Sequence, residues 1–211
     1  MRNLTKRKAP DILIKNGARW TKEYIESKGS ENEKKAEKWR HDEIKAALAE
    51  ETFEKCVYCE SIMADITYPH VEHIVPKGKF PELAHKWDNL TWSCPICNNN
   101  KREYYNSHAA ILNPFVDTID NHLRFHGDFV DFQLGSIRGE ITINKLDLNR
   151  MTLVEARIER LKKVKAMLER WHSATGAHKE MLESAIRIDC LDGEFRATVC
   201  AYLASFRFPL D

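Results

Sequence analysis

The residues with the clearest chemical potential are cysteines. Six occur in the chain, and four fall into two Cys-x-x-Cys pairs, Cys56 with Cys59 and Cys94 with Cys97, separated by 34 intervening residues. Zinc takes a tetrahedral shell of soft thiolates, and two such knuckles supply a complete shell with no open coordination position. The zinc expected here therefore holds the fold, and any catalysis falls to other residues. A redox reading fits less well, because a thioredoxin-like motif needs one pair beside a strand–helix–strand unit and leaves the second pair without a purpose. In a reducing compartment such pairs are more often metal sites than disulfides. Cys190 and Cys200 lie far away in helical sequence and read as small buried apolar residues.

Between the knuckles the chain reads His70-Val-Glu72-His73-Ile-Val-Pro76-Lys77, then Trp87-Asp-Asn89-Leu90, and the second knuckle runs on as Cys97-Asn98-Asn-Asn-Lys101. A histidine alone in a strand is more often structural than catalytic, and His85, His108, His122, His126 and the helical histidines are read that way. His73 differs because of its neighbours. The order of Cys-x-x-Cys, acid–histidine, asparagine, and Cys-x-x-Cys-Asn-x-x-Lys resembles the HNH nucleases, whose core is the ββα-metal fold. The resemblance is dense from Cys56 to Lys101. It implies a two-strand hairpin crossed by a helix, with one divalent cation held between strand and helix.

Carried over residue by residue, the resemblance makes Glu72 a ligand of the catalytic cation, since a carboxylate oxygen suits Mg²⁺ or Mn²⁺. It makes His73 the general base that deprotonates water; an ordinary imidazole pKa of ~6.5 leaves much of it neutral near pH 7. Asn89 becomes the residue that pins the loop and orients the histidine, and Asn98 the second protein ligand. The chemistry implied is phosphodiester hydrolysis, in which a cation stabilises charge on the phosphoryl and leaving oxygens. Lys77, Lys79, Lys101 and Arg102 surround this site and are candidates for phosphate contact. His70 shares a strand face with Glu72 and is a candidate to approach the metal or a phosphate.

The flanks narrow the likeness. Glu72-His-x-x-Pro-Lys77, Trp87-x-Asn-Leu90, Asn113-Pro-Phe with Asp117, and His122-Leu-x-Phe125 look like the HNH subunit, called PtuB, of Septu-type and retron-associated anti-phage systems. Arg19-Trp-Thr with Tyr24, and Leu148-Asn-Arg150, extend the similarity over most of the chain. The resemblance implies a PtuA-like ABC-type ATPase as partner, and it admits retron RNA or DNA and a reverse transcriptase in the same assembly. The chain has no Gly-x4-Gly-Lys-Ser/Thr loop, so an ATPase must be another chain. A net charge of +1 argues against a strong electrostatic grip on nucleic acid by this chain alone. Three rival readings remain. A non-catalytic zinc module for nucleic acid or protein explains the cysteines but not the series Glu72, His73, Asn89, Asn98. An RNA- or tRNA-cleaving HNH toxin shares the chemistry but shows no RNA-binding signature. A stand-alone restriction or homing enzyme would carry a DNA-reading element such as a helix-turn-helix, and none is identified.

These residues need particular elements to meet. Neighbours on a strand point to opposite faces, so Glu72 and His73 require a distortion or a strand end, and Pro76 favours an end. A helix is expected to begin near Cys94, with Pro95 in its first turn. Upstream, apolar spacing predicts helices over 15–27 and about 32–51, the latter with Ala36, Trp39, Ile44, Ala47 and Leu48 inward. Alternation at Leu123–Phe125, Phe129–Phe132 and Ile137–Ile143 predicts a hairpin or meander. Beyond Asn149, a capping box at Thr152-x-x-Glu155 opens a long helix, Gly176 breaks it, and two further helices follow over 178–190 and 194–206. The fold class expected is α+β, mainly helical, with a central zinc-stapled ββα-metal module flanked by N- and C-terminal helices and a small β-hairpin. The organisation expected is a helical segment over 1–52 suited to partner docking, the nuclease core over 53–110, a hairpin and loop extension over 111–145, and a helical region over 146–211. With 43% hydrophobic and 31% charged residues the chain is of ordinary globular composition. No apolar run approaches the ~18 to 20 residues of a membrane span, and the basic start from Met1 to Pro10 leads into no apolar signal region; a cytoplasmic protein is expected.

Overall fold

Three helices precede the first zinc knuckle in the computed structural model, which describes residues 1–63 and 68–210. They are α1 (Asp11–Ser27), a single turn α2 (Glu33–Ala36), and α3 (Asp42–Glu51). The continuous helix expected over 32–51 is thus broken. Glu37 leaves helical geometry with ψ 55°, Lys38–Arg40 forms a tight 3-10 turn, and His41 at ψ 141° caps α3, its Nδ1 accepting from the Glu43 amide at 3.3 Å. Asp42 and Glu43 in the first turn of α3 suit the positive end of its dipole. The break turns Trp39 inward, where it is 2% exposed and packs edge-on against Tyr24, with ring centroids 5.0 Å apart.

The nuclease module follows. β1 (His70–His73) pairs antiparallel with β2 (Leu90–Ser93), setting Glu72 opposite Thr91 and His73 opposite Leu90. As the sequence required, β1 ends at His73, ahead of Pro76. All four residues of β2 are buried, and the first knuckle lies along it through the Val57 amide, which donates to the Trp92 carbonyl at 2.9 Å. α4 (Pro95–Lys101) starts with Pro95, where the missing amide hydrogen has no partner to lose, and Cys94 caps it, its Sγ accepting from the Cys97 amide at 3.4 Å.

The second hairpin forms as expected from β3 (Leu123–His126) and β4 (Phe129–Phe132). The segment Ile137–Ile143, expected as a third strand, is instead helical: α5 spans Ile137–Leu146. Ser136 overrides the alternating isoleucines, its hydroxyl accepting from the Gly139 amide at 3.0 Å as an N-cap. Glycine at 139 is required by close approach, since a Cβ there would collide with the His122 carbonyl. α6 (Met151–Ser173) is the long helix, but the proposed capping box does not form: the N-cap is Arg150, two residues before Thr152, and no side chain caps the helix. α7 (Gly176–Asp192) and α8 (Arg196–Ser205) complete the chain.

Two apolar cores result. The larger joins α1 to α3, both hairpins, the knuckles, α5 and the start of α6, with Leu48, Leu90, Leu112 and Leu146 at its centre. The smaller lies among α6, α7 and α8, around Val164, Ile186, Val199 and Leu203. They meet at Glu60, next to Cys59 of the first Cys-x-x-Cys pair. Its carbonyl accepts from the Phe195 amide and its carboxylate from the Ala197 amide, while Glu194 accepts from the Ile62 amide at 2.7 Å. No helix among the described residues is long and apolar enough to cross a membrane.

Candidate active site

The four knuckle cysteines converge, with all four sulfurs within 4.8 Å of one another and all four residues buried. A tetrahedron of sulfurs at ~2.3 Å from zinc has edges near 3.8 Å, and Cys59 and Cys94 stand 3.9 Å apart. The donor set and its enclosure fit a closed structural zinc. Burial pushes the Cys56 thiol up while hydrogen bonds from its neighbours hold Cys59 down, as expected of sulfurs that share protons until a cation replaces them. Arg150 donates to Cys97 Sγ at 3.9 Å. Burial would lower its pKa, but the thiolates of Cys97, Cys59 and Cys94 reverse the sign and raise it, so this guanidinium offsets the negative charge of a four-thiolate centre.

On the other side of β1 lies a cleft of about 390 Å³. It is lined by His70, Glu72, His73, Lys77, Asn98, Lys101 and Arg102 from the nuclease module, and by Trp39, Arg40 and Lys45 from the N-terminal helices. Lys79 lies outside the lining.

His73 is 7% exposed, and its ring is held on two sides. Nε2 lies 3.0 Å from the Ala84 carbonyl, and the ring meets Trp39 edge-on at 4.9 Å between centroids. A carbonyl oxygen only accepts, so Nε2 carries the hydrogen and Nδ1 keeps a lone pair. Burial, with Lys77 and Lys101 nearby, holds the pKa down at about 3, against the opposing pull of the Ala84 bond. The imidazole is therefore neutral across the physiological range, as a proton acceptor must be.

Glu72 is 3% exposed and its Oε1 receives the Lys101 ammonium at 2.5 Å and the Tyr58 hydroxyl at 3.5 Å. Burial raises its pKa, and Lys101 opposes that shift. Lys101 also donates to the His73 carbonyl at 2.7 Å, which ties α4 to the end of β1. Its ammonium is buried, whereas the other cleft cations lie nearer solvent, where Arg40 pairs with Glu37 at 2.7 Å and Lys45 with Asp42 at 3.0 Å. Asn98 Nδ2 lies 3.0 Å from His70 Nδ1. Burial, then Arg40, lowers the His70 pKa, which favours a neutral ring with a lone pair toward the amide. The Glu72 carboxylate and the Asn98 amide oxygen on one wall are a chemically suitable donor pair for a divalent cation, and the His70 ring joins them only where its Nδ1 is released from the Asn98 amide.

Asn89 is 6% exposed and makes its bonds to backbone. Its oxygen accepts from the Val75 amide at 2.7 Å, and its nitrogen donates to the carbonyls of Val75 and Leu83, at 3.0 and 3.2 Å. These bonds fix the segment whose next carbonyl, Ala84, receives His73. Sequence reasoning did not single out Arg40 and Lys45, or the support from Trp39 and Tyr58. The available signal was an aromatic–cation pair, Trp39-Arg40, at a point where helical spacing falters. Arg102 has an unusual backbone, φ 48° and ψ −135° at the end of α4, a region disfavoured for residues with a Cβ.

A family model described as HNH endonuclease matches residues 56–103, the stretch that carries both knuckles, the hairpin and α4. The match and this ββα architecture define the class: the chain is an HNH endonuclease with a four-cysteine cluster. It is 31% identical to the Septu protein PtuB of Bacillus thuringiensis, over 86% of this chain and 72% of that protein. It is 30% identical to the Septu protein PtuB of Bacillus mycoides (strain KBAB4), over 57% of this chain and 52% of that relative. The chain belongs to the Septu PtuB family.

Proposed function

We propose that this chain is the nuclease effector of a Septu-type anti-phage system, cutting DNA with one divalent cation, Mg²⁺ or Mn²⁺, in the cytoplasm and under the control of an ABC-type ATPase. The observation that carries the reading is His73: a neutral imidazole with a fixed tautomer beside a carboxylate, an amide and a row of cations.

In this reading the His73 Nδ1 lone pair takes a proton from the attacking water, while the Ala84 carbonyl and the Trp39 ring keep the imidazole from turning. Glu72, through the oxygen opposite its Lys101 contact, and Asn98 would hold the cation, with His70 as a third candidate donor once its Nδ1 lone pair is released from the Asn98 amide. Bound there, the cation would stabilise charge developing on the phosphoryl and leaving oxygens. An imidazole in the donor set leans toward Mn²⁺ over Mg²⁺. Lys77 and Arg102, with Arg40 and Lys45 across the cleft, hold the phosphate backbone, whereas Lys101 positions Glu72 and His73. Asn89 acts through the loop it pins. A closed zinc centre takes no part in the chemistry beyond holding α4 against the hairpin.

The near-neutral charge supports a dependent enzyme: weak binding of nucleic acid by the chain alone restrains cutting until a partner adds basic surface. The test is cleavage of linear and supercoiled DNA, and of RNA, in Mg²⁺ or Mn²⁺, with and without the proposed ATPase partner. DNA cleavage that requires the ATPase and falls by about 10²–10⁴-fold in His73→Ala is expected. Full activity of the isolated chain on any DNA would remove the partner from the proposal. Cleavage of RNA alone would move the substrate to RNA, and equal signals from wild type and His73→Ala would sink the catalytic assignment.

A further inference from the structure

A second cluster of reactive atoms lies about the smaller core, away from the nuclease cleft. Cys190, near the end of α7, and Cys200, in the middle of α8, bring their sulfurs to 3.2 Å. Both are free thiols; Cys190 is buried and Cys200 partly buried. Cys200 also lines a separate cavity of about 540 Å³, with Arg2, Arg196 and Gln133 on its walls. Arg196 precedes Cys200 by one helical turn, which places both side chains on the same face.

From this geometry we propose that Cys200 and Cys190 form a peroxide-reactive dithiol, Cys200 attacking and Cys190 resolving, which closes to a disulfide between α7 and α8. The arrangement meets the requirements of such a pair. The attacking thiol opens onto a cavity that admits a small oxidant, cations stand beside it, and the second thiol is already within contact distance behind it. The proton bookkeeping agrees: the hydrogen bond from Cys190 and the charge of Arg196 bring Cys200 down to about 7, against burial, while Cys190 is raised.

The chemistry balances with hydrogen peroxide as oxidant. The Cys200 thiolate attacks one peroxide oxygen, an S–O bond forms, the O–O bond breaks, and hydroxide leaves to be protonated to water. Cys190 sulfur then attacks the sulfenic sulfur of Cys200, the S–S bond forms, the S–O bond breaks, and a second water departs with the Cys190 proton. Two thiols are oxidised by two electrons and one peroxide is reduced to two waters. The bridge would lock the turn that joins α7 to α8, which is also the turn that grips Glu60 beside the zinc knuckle.

The full-length, zinc-loaded chain would be treated with hydrogen peroxide near equimolar amounts, blocked with iodoacetamide, and digested with trypsin without reduction. The expected product is a cross-link between the peptides 188–196 and 197–207, about 2 Da lighter than their sum, formed before any knuckle cysteine is lost. Cys190→Ser should stop at sulfenic or sulfinic acid on Cys200. Arg196→Gln, which keeps both thiols and leaves 188–207 as one tryptic peptide, should slow the ~2 Da mass loss of that peptide several-fold. Complete alkylation of both cysteines after peroxide is consumed, or a cross-link that forms only after zinc is released, would overturn the proposal without reference to any variant's folding.

Discussion

Asn89 and His73 are linked through three residues of loop rather than by a direct bond. Because the Asn89 amide holds Val75 and Leu83 and the next carbonyl holds His73, Asn89→Ala should both loosen the loop and leave buried backbone groups unmatched. A loss of about 2–3 kcal/mol in urea unfolding is expected, and a fall in cleavage rate larger than any change in substrate affinity. His85 gives the fold a pH limit. It is 3% exposed, ringed by Trp20, Tyr24 and Trp39, and burial holds its pKa down at about 4. An unfolded histidine titrates near ~6.5. Between those values the unfolded chain binds the proton and the folded one refuses it. Stability present above about pH 6.5 should therefore fall as pH drops toward 4; urea midpoints across that range check it, and His85→Gln should flatten the slope. At this scale the sequence was informative where residue types are rare. The cysteines, Glu72-His73 and Asn98 stood out because each has few structural uses in that order. Arg40 and Lys45 did not, because in a run as charged as 31–45 nothing marks one cation as facing a cleft and the next as facing solvent.

Among the elements, α4 and the loop leading into α6 carry the metal module. Leu148-Asn149-Arg150 looked like a short shared motif and proves to be a strut: Asn149 exchanges two hydrogen bonds with Val130 of β4, and Arg150 reaches Cys97 of the four-cysteine cluster. Removing that guanidinium leaves four thiolates less compensated. Arg150→Ala should weaken zinc retention by about 10-fold, the lower end of what outer contacts contribute, measured by competition with a chromogenic chelator. Element types were legible wherever periodicity was long, as in α1 and α6, and for the hairpin β3–β4. They were misread where one local contact decided the outcome. Ile141 and Ile143 alternate like a strand, yet the Ser136 cap and the close fit of Gly139 under the His122 carbonyl make α5. In 32–51, the composition is helical throughout, and burial of Trp39 breaks the helix against propensity.

For the molecule as a whole, the N-terminal helices share one apolar core with the hairpins and the cysteine knuckles. Trp39 touches His73 and His85 and lies under the Lys77 ammonium at 5.3 Å. Trp39→Ala should destabilise the fold by about 3–5 kcal/mol and reduce cleavage even at temperatures where the variant is folded, because His73 loses one of its two supports; parallel melting curves and rate measurements separate the two effects. Such interdependence could not be read from sequence, since the contact spans 34 positions and involves no motif on the N-terminal side. The chain also carries a local concession at Arg102, whose φ of 48° suits glycine better than any residue with a Cβ. Arg102→Gly should raise stability by up to about 1 kcal/mol, read as a higher melting temperature. Under the proposed phosphate-holding role it should also slow cutting. A library of this chain screened only for survival of heat would then drift to glycine at 102, whereas one screened for cleavage would hold arginine, and the two populations would part company at that single codon.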